Sequence, residues 1–141
     1  MDFRWAVWGE VATGSLPCRA QDVRELKGHG IEAVLSLQRP SPQICEEIRK
    51  AGMQHVITEL EDFSTPSFEQ MHQLRMVLQS WSDAGRAVYV HCYAGVGRCR
   101  TVAAAFLAFE AGSAEDALEL VGEPENNAQA QFVRDYWAQR P

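Results

Sequence analysis

The residues best suited to carry out chemistry lie between positions 91 and 98, where the chain reads His-Cys-Tyr-Ala-Gly-Val-Gly-Arg. The apolar run over 87–90 contains β-branched and aromatic residues and predicts a buried strand. The alanine-rich apolar segment over 101–109 predicts a buried helix. Cys92 is therefore expected where a strand ends, and Arg98 where a helix begins. The glycines between them allow a curled loop whose N–H groups converge on one anion, so we predict a phosphate-binding loop with a thiol at its base.

The thiol and the guanidinium of this loop suit the transfer of a phosphoryl group. Backbone N–H donors, a helix N-terminus and a nearby cation can lower the pKa of a cysteine from about 8.5 to roughly 4–6, which gives a thiolate nucleophile. Arg98 offers a planar pair of donors for two phosphate oxygens, a geometry that a lysine cannot provide. We therefore predict that Cys92 attacks phosphorus in line and forms a phosphocysteine intermediate.

The leaving group also needs a proton, and the loop itself contains no acid. We predict that Asp62 supplies it, because this residue follows the strand predicted over 54–60 and can face Cys92 across the carboxyl edge of a parallel sheet. Its neighbours Glu59 and Glu61 are alternatives. The same carboxylate can then activate the water that hydrolyses the phosphocysteine.

His91 directly precedes the nucleophile. A thiolate that is already ionised needs no general base, so we expect His91 to bond the loop backbone and fix its shape. The other histidines, His29, His55 and His72, have no partner visible in the sequence and are expected to be surface or ordinary core residues.

A second Cys-x5-Arg spacing occurs from Cys18 to Arg24. It contains no glycine, places Asp22 where an anion would bind, and follows Pro17 rather than an apolar run. We interpret this segment as the start of a surface helix. The bare spacing therefore does not define a phosphate loop without its structural context.

The composition predicts one globular domain. The 141 residues are 46% hydrophobic and 23% charged, which is enough for a single core. The net charge of −6 lacks the basic excess that nucleic acids and anionic membranes require, so we expect neither as a partner. No apolar run approaches the ~20 residues of a membrane span, and the N-terminus does not fit a signal peptide. The four cysteines lack the spacing of zinc sites and the density of secreted scaffolds, so we expect no metal or cofactor, and a reducing cytoplasm.

Strands and helices are predicted to alternate along the chain. An edge hairpin or a pair of short strands is expected over 3–11, with further strands over 31–37, 54–60 and 87–90. Helices are expected over 22–27, 44–51, from Ser67 to about 83, and over 101–109, 114–121 and 128–139. In the third of these helices, a core-facing stripe is predicted from Phe68, Met71, Leu74, Val77 or Leu78, and Trp81. This order predicts an α/β fold with a central, mainly parallel sheet flanked by helices.

The loop from His91 to Arg98 resembles the signature of the cysteine-based protein tyrosine phosphatase superfamily. The segments 3–5, 14–17 and 61–67 are similar to those of the small single-domain dual-specificity phosphatases, so the resemblance covers nearly the whole chain. It implies a protein tyrosine phosphatase-like fold and a single phosphatase domain over 1–141.

The resemblance also implies roles for individual residues. Cys92 is the nucleophile, Arg98 the phosphate clamp and Asp62 the general acid. Either Gln129 or Gln131 matches a glutamine that helps to position water. The implied substrates are phosphorylated proteins or small phosphomonoesters, with phosphotyrosine first and phosphoserine or phosphothreonine beside it. The loop residues whose backbone binds the phosphate are Tyr93, Ala94, Gly95, Val96 and Gly97.

The chain departs from the family pattern after the arginine. The family usually has serine or threonine where this chain has Cys99, and commonly glycine where it has Arg100. In the family, that hydroxyl eases release of the thiolate from phosphocysteine, so the resemblance implies slow turnover here. The loop also has no lysine at Tyr93, Ala94 or Val96, which disfavours the more positively charged phosphoinositide phosphatases.

Two other classes of protein remain open. A catalytically weak phosphate-binding module would account for Cys99, although the intact Cys92, Arg98 and Asp62 argue against it. A thiol redox protein of the arsenate-reductase or rhodanese type would use Cys92 and Cys99 in a similar loop. Such a protein would not require Asp62.

Overall fold

Strands and helices alternate along most of the chain in this computed structural model, which describes residues 1–140. The strands are β1 (Phe3–Val7), β2 (Val11–Gly14), β3 (Ile31–Ser36), β4 (Gln54–Ile57) and β5 (Ala87–His91). The helices are α1 (Ala20–Gly28), α2 (Pro42–Lys50), α3 (Phe68–Asp83), α4 (Arg98–Ala111), α5 (Ala114–Val121) and α6 (Asn127–Ala138). The predicted α/β fold is confirmed. Pro141, the last residue of the predicted single domain over 1–141, lies outside the described residues.

The strands form one sheet in the order β1-β2-β5-β3-β4. β1 pairs antiparallel with β2, whereas β2, β5, β3 and β4 pair in parallel, so the sheet is mainly parallel as predicted. The predicted hairpin is present, but it extends to Gly14 rather than ending at Val11, and of its two strands only β1 lies at the edge, because β2 pairs with β5 on its other side. The carboxyl ends of β2, β5, β3 and β4 meet at one edge of the sheet, which is where ligands bind in such folds.

Helices cover both faces of the sheet. Side chains of β5 alternate between the faces: Tyr89 packs with α1 and α2, whereas Val88 and Val90 pack with α3 to α6. The buried side chains that α1 and α2 contribute are Val23, Leu26, Ile44 and Ile48. None of the helices described has both the length and the apolar character needed to cross a membrane.

Of two predicted boundaries near the site, one is confirmed and the other differs from the structure. α4 begins at Arg98, as predicted, and the Thr101 N–H and hydroxyl both donate to the Gly97 carbonyl in its first turn, at 3.0 and 2.9 Å. β4 ends at Ile57 rather than at Leu60. Beyond it, the Leu60 N–H still donates at 3.0 Å to the carbonyl of the residue after β3, which keeps this segment beside the loop.

The predicted core stripe of α3 is correct except at its first position. Met71, Leu74, Leu78 and Trp81 are buried. Phe68 is 41% exposed, because the first helical turn projects to the surface, where its ring centroid lies 5.6 Å from that of Phe132 in α6. The predicted capping box is present, with Ser67 and Gln70 bonding each other's backbone N–H groups at 2.9 and 3.0 Å.

Candidate active site

The loop over 92–98 leaves the carboxyl end of β5 and enters α4 at Arg98. Gly95 has a φ of 84°, and a Cβ at this residue would lie 2.6 Å from the carbonyl carbon of Gly14 at the end of β2. Only glycine fits here, because the loop curls directly against the end of the neighbouring strand. The Leu16 N–H donates to the Tyr93 carbonyl at 3.0 Å and holds the outer side of the loop to the same segment.

Cys92 lies inside this curl and is only 2% exposed. A hydrogen bond from the Cys99 thiol lowers the pKa of Cys92 to about 5, with backbone N–H groups of Cys99, Gly95 and Gly97 adding to the effect and burial opposing it. The hydrogen bonds outweigh the cost of burying a charge because several donors meet at one sulfur atom. Cys92 is therefore a thiolate at neutral pH, within the pKa range predicted for such a loop.

Cys99 is the thiol donor to Cys92 and is fully buried in the first turn of α4. Its hydrogen bond to the Cys92 thiolate, with burial, raises the pKa of Cys99 well above the usual value. Cys99 therefore stays protonated while Cys92 is ionised. A thiol is a weaker donor than the hydroxyl usual at this position. The hydrogen bond from Cys99 to Cys92 is therefore weaker than one from a serine or threonine would be.

The position of the Arg98 guanidinium is fixed by hydrogen bonds from one of its terminal nitrogens, Nη1. Nη1 donates to the Leu60 carbonyl at 2.8 Å and to Gln38 Oε1 at 2.9 Å. Nη2 contacts the Asp62 carboxylate at 3.2 Å, and Nε is buried with no hydrogen-bond partner in the described part of the chain. Nε and Nη2 form one edge of the guanidinium, which can donate in parallel to two oxygens of an anion once the Asp62 carboxylate leaves Nη2.

Asp62 is the one of the three predicted carboxylates that contacts Arg98. Its side chain is 53% exposed, and Oδ1 also accepts a hydrogen bond from the Phe63 N–H at 2.9 Å. Glu59 instead pairs with Arg39 at 2.8 Å, and Glu61 is exposed at the surface. The structure therefore brings Asp62 to the phosphate loop and places the two alternatives elsewhere.

The loop that carries Asp62 is held by the start of α6. Asn126 Nδ2 donates to the Phe63 carbonyl at 3.1 Å, and Gln129 Nε2 donates to the Ser64 carbonyl at 3.3 Å. These bonds stabilise a strained backbone, because Phe63 has a φ of 63°, which is unusual for a residue other than glycine. Asn126 could have been expected to cap α6 from its type and place, but its contact with a loop 63 residues away has no local signal.

The two glutamines proposed for water positioning have different surroundings. Gln129 is fully buried, and its Nε2 lies 3.2 Å from where a Cβ on Gly97 would be. Its Oε1 is buried without a partner among residues 1–140. Gln131 is exposed and bonds Asp135 at 2.9 Å. Of the two, the structure places Gln129 beside the phosphate loop.

His91 bonds the loop backbone as expected, through Nδ1 and the Cys92 carbonyl at 2.9 Å. The ring is fully buried, and burial lowers the pKa of His91 to about 4, so it is neutral at physiological pH. Gln38, which orients Arg98, was missed from the sequence. It directly follows the strand predicted over 31–37, so the argument used for Asp62 would have found it.

The second Cys-x5-Arg segment forms no loop of this kind. Cys18 is exposed, and the Asp22 carboxylate accepts N–H bonds from Cys18 and Arg19 at 2.9 and 3.1 Å, at the start of α1. The interpretation as a helix start is confirmed. Across residues 1–140, no group of three His, Cys, Asp or Glu side chains is arranged to hold a metal ion.

Comparison with known families identifies the class of protein to which this fold and loop belong. The family model of the DSP-PTPase phosphatase domain of Swiss Army Knife proteins (PTP-SAK) matches residues 1–140. The chain belongs to this family. The resemblance to small dual-specificity phosphatases is therefore confirmed.

Individual relatives agree with this assignment. Phosphatidylglycerophosphate phosphatase PTPMT1 of Arabidopsis thaliana is 29% identical over 113 residues, which make up 75% of this chain and 33% of that protein. The chain thus spans about a third of that relative's length. The crystal structure of Tk-PTP in its active form has a TM-score of 0.84 and 25% identity, covering 98% of this chain and 97% of that one. A crystal structure of PTPMT1 has a TM-score of 0.81 at 21% identity, covering 97% and 94%, and confirms the fold.

Proposed function

We propose that the chain is a phosphomonoester hydrolase that works through a phosphocysteine on Cys92, with Arg98 as the phosphate clamp and Asp62 as the general acid. The observation that carries this proposal is a buried cysteine with a pKa of about 5 in the same loop as an arginine whose Nε has no partner among residues 1–140. We assign one phosphatase domain to 1–141. A thiolate nucleophile is easily oxidised, which supports a reducing cytoplasm as its place of action.

In the first step, the Cys92 sulfur attacks phosphorus, and the bond between phosphorus and the leaving oxygen breaks. Nε and Nη2 of Arg98 hold two of the phosphate oxygens, and N–H groups of residues 93–97 hold the rest. Because the phosphate occupies Nη2, it displaces Asp62 from the arginine. Once separated from the arginine, the Asp62 carboxylate takes up a proton from solvent, and the resulting carboxyl group donates that proton to the leaving oxygen.

In the second step, water attacks the phosphorus of phosphocysteine, and the electrons of the sulfur–phosphorus bond return to Cys92 as a thiolate. Asp62, now ionised, takes the proton from the water. The amide of Gln129 supports the position of that water, since it lies beside Gly97 and has a buried oxygen without a partner in the described chain. The Cys99 thiol hydrogen-bonds to the departing sulfur.

Hydrolysis of p-nitrophenyl phosphate by the wild-type protein tests the proposal directly. We expect turnover that vanadate inhibits competitively, and a phosphate group on Cys92 when the reaction is stopped with acid and analysed by mass spectrometry. A protein that binds vanadate but does not turn over would favour the phosphate-binding module. Reduction of arsenate without phosphatase activity would favour the thiol redox class.

Removing the carboxyl group of Asp62 should matter most for poor leaving groups. We expect Asp62→Asn to lower kcat/KM about 10²–10⁴-fold for phenyl phosphate and far less for p-nitrophenyl phosphate, because kcat/KM reports the first step and only a basic leaving oxygen needs the proton. A series of substituted aryl phosphates measures this dependence, with Glu61→Gln as the matched control. A loss that is equal for all leaving groups would assign Asp62 to binding or folding.

Replacing Cys99 with serine should speed the second step. A hydroxyl is a stronger donor to the departing thiolate, so we expect kcat to rise roughly fivefold, the equivalent of about 1 kcal/mol, with less change in kcat/KM. The initial burst of p-nitrophenol in the wild type should shrink. Unchanged kcat and burst in Cys99→Ser would show that hydrolysis of phosphocysteine does not limit the rate.

We propose phosphotyrosine in proteins as the preferred substrate, with phosphoserine or phosphothreonine beside it. The exposed side chains near the loop include Tyr93 and Phe63, at 62% and 64% exposure, which offer aromatic rather than basic contacts. Phosphopeptides that differ only in the phosphorylated residue test this order. We expect the highest kcat/KM for phosphotyrosine.

A lipid phosphate is the second candidate substrate, because the Arabidopsis relative bears the name of a phosphatidylglycerophosphate phosphatase. Such a substrate would bring the chain to a lipid surface, against the expectation from its net charge of −6. Phosphatidylglycerophosphate in mixed micelles, compared with a phosphotyrosine peptide at equal concentration, separates the two. A higher kcat/KM for the lipid would replace the protein substrate.

A further inference from the structure

A chain of hydrogen bonds crosses three neighbouring strands and ends at the nucleophile. His55 Nε2 on β4 lies 2.8 Å from Ser36 Oγ on β3, and Ser36 Oγ lies 2.6 Å from His91 Nε2 on β5. His91 Nδ1 then lies 2.9 Å from the Cys92 carbonyl oxygen. Ser36 and His91 are fully buried, and His55 is partly buried. The sequence predicted no role for Ser36 or His55.

One arrangement of protons satisfies every bond in this chain. The Cys92 carbonyl can only accept, so His91 Nδ1 carries the hydrogen. The buried, neutral His91 ring then has an unprotonated Nε2, which accepts from the Ser36 hydroxyl. The Ser36 oxygen in turn accepts from His55 Nε2–H. The serine hydroxyl is thus the single group that connects the two rings, and the direction of donation runs from His55 to Cys92.

We propose that Ser36 and His55 are positioning residues for the nucleophile: they orient the His91 ring, which fixes the direction of the Cys92 carbonyl and so the shape of the phosphate loop. The Cys92 peptide is where β5 ends and the curl begins. If this carbonyl turns, the N–H groups of Gly95 and Gly97 no longer converge on the sulfur.

His55, at the outer end of this chain of hydrogen bonds, is accessible, so it can be substituted without disrupting the core. His55 lines a cavity of about 590 Å³ between β4 and α2, together with Arg39, Cys45 and Met53. Cys45 lines the same cavity, but its thiol donates to the Pro40 carbonyl at 3.7 Å and takes no part in the chain of hydrogen bonds. It therefore provides a matched control for changes made at the cavity wall.

The test compares Ser36→Ala, His55→Leu and His55→Gln with Cys45→Ala and the wild type. The amide nitrogen of glutamine can replace the Nε2–H donor of His55, whereas leucine cannot. The main measurement is the pH dependence of Cys92 alkylation by iodoacetamide, followed by mass spectrometry of the peptide that contains Cys92. The second is kcat/KM for p-nitrophenyl phosphate.

We expect Ser36→Ala and His55→Leu to raise the alkylation midpoint by about one pH unit, a tenfold loss of thiolate at a pH below the midpoint. Their kcat/KM should fall about tenfold, as for a small displacement of reacting groups. His55→Gln and Cys45→Ala should stay within about twofold of the wild type. This pattern would not arise if the residues acted only through stability.

An unchanged alkylation midpoint in Ser36→Ala would overturn the proposal, as would identical behaviour of His55→Gln and His55→Leu. If Ser36→Ala fails to fold, the two His55 variants decide the question alone. The rate measurement rests on the proposed function, but alkylation needs no substrate. If the alkylation midpoint shifts but the protein has no phosphatase activity, the positioning role is supported and the phosphatase mechanism is refuted. The two proposals can therefore fail independently.

Discussion

Replacing Cys92 with serine is expected to reduce hydrolysis of p-nitrophenyl phosphate to below about 10⁻⁴ of the wild-type kcat, as removal of a nucleophile does in other enzymes with covalent intermediates. The pKa of Cys92 is about 5, so its sulfur is ionised at neutral pH, whereas a serine hydroxyl at that position is not. The substitution leaves the loop N–H groups and the Nε–Nη2 edge of Arg98 unchanged. Phosphate and vanadate should therefore still bind, as titration calorimetry can show.

Two further measurements make this result specific. Because the pKa of Cys92 is lowered to about 5, its thiolate is lost only below that pH, so the acidic limb of kcat/KM should lie near pH 5 rather than near 8. Cys18→Ser, in the exposed second Cys-x5-Arg segment, should retain wild-type activity. Hydrolysis by Cys92→Ser at a tenth of the wild-type rate would refute the phosphocysteine mechanism.

The phosphate loop could be predicted from the sequence because its requirements are local. A buried strand, two glycines, an arginine and a helix follow one another within about 20 residues, and each constrains the backbone next to it. The same holds for the capping box at Ser67 and Gln70. Asp62 required one further step, the expectation that parallel strands place their carboxyl ends at one edge.

The contacts that hold these residues in place could not be predicted, because they depend on the order of strands. Ser36 links His55 to His91 only because β3 lies between β4 and β5, and the sequence order of these strands differs from their order in the sheet. The hydrogen bond from Asn126 to the Phe63 carbonyl, which fixes the loop of Asp62, joins residues that are 63 positions apart in the sequence. It therefore depends on how α6 packs. Phe68 shows that a residue with the right spacing can still be wrongly predicted as buried. Its spacing fits the apolar stripe of α3, yet 41% of it is exposed.

Replacing Arg98 with lysine is expected to lower kcat/KM for p-nitrophenyl phosphate by about 10³-fold or more, the loss typical when an arginine that faces a transferring phosphoryl group is removed. Arg98 divides its donors between two tasks. Nη1 bonds the Leu60 carbonyl and Gln38, while Nε and Nη2 form the edge proposed to hold two phosphate oxygens. A lysine has a single nitrogen, which cannot serve both tasks at once.

The matched control is Arg100→Lys, two residues further along α4. Arg100 Nη1 donates to the Glu123 carbonyl at 2.9 Å, a single contact that a lysine can keep, so we expect kcat/KM within about twofold of the wild type. Titration with vanadate should show weaker binding in Arg98→Lys and unchanged binding in Arg100→Lys. If Arg98→Lys keeps more than a tenth of the wild-type kcat/KM, charge alone would suffice. The paired donors of Nε and Nη2 would then not be the clamp, and phosphate binding would rest on the backbone N–H groups of the loop.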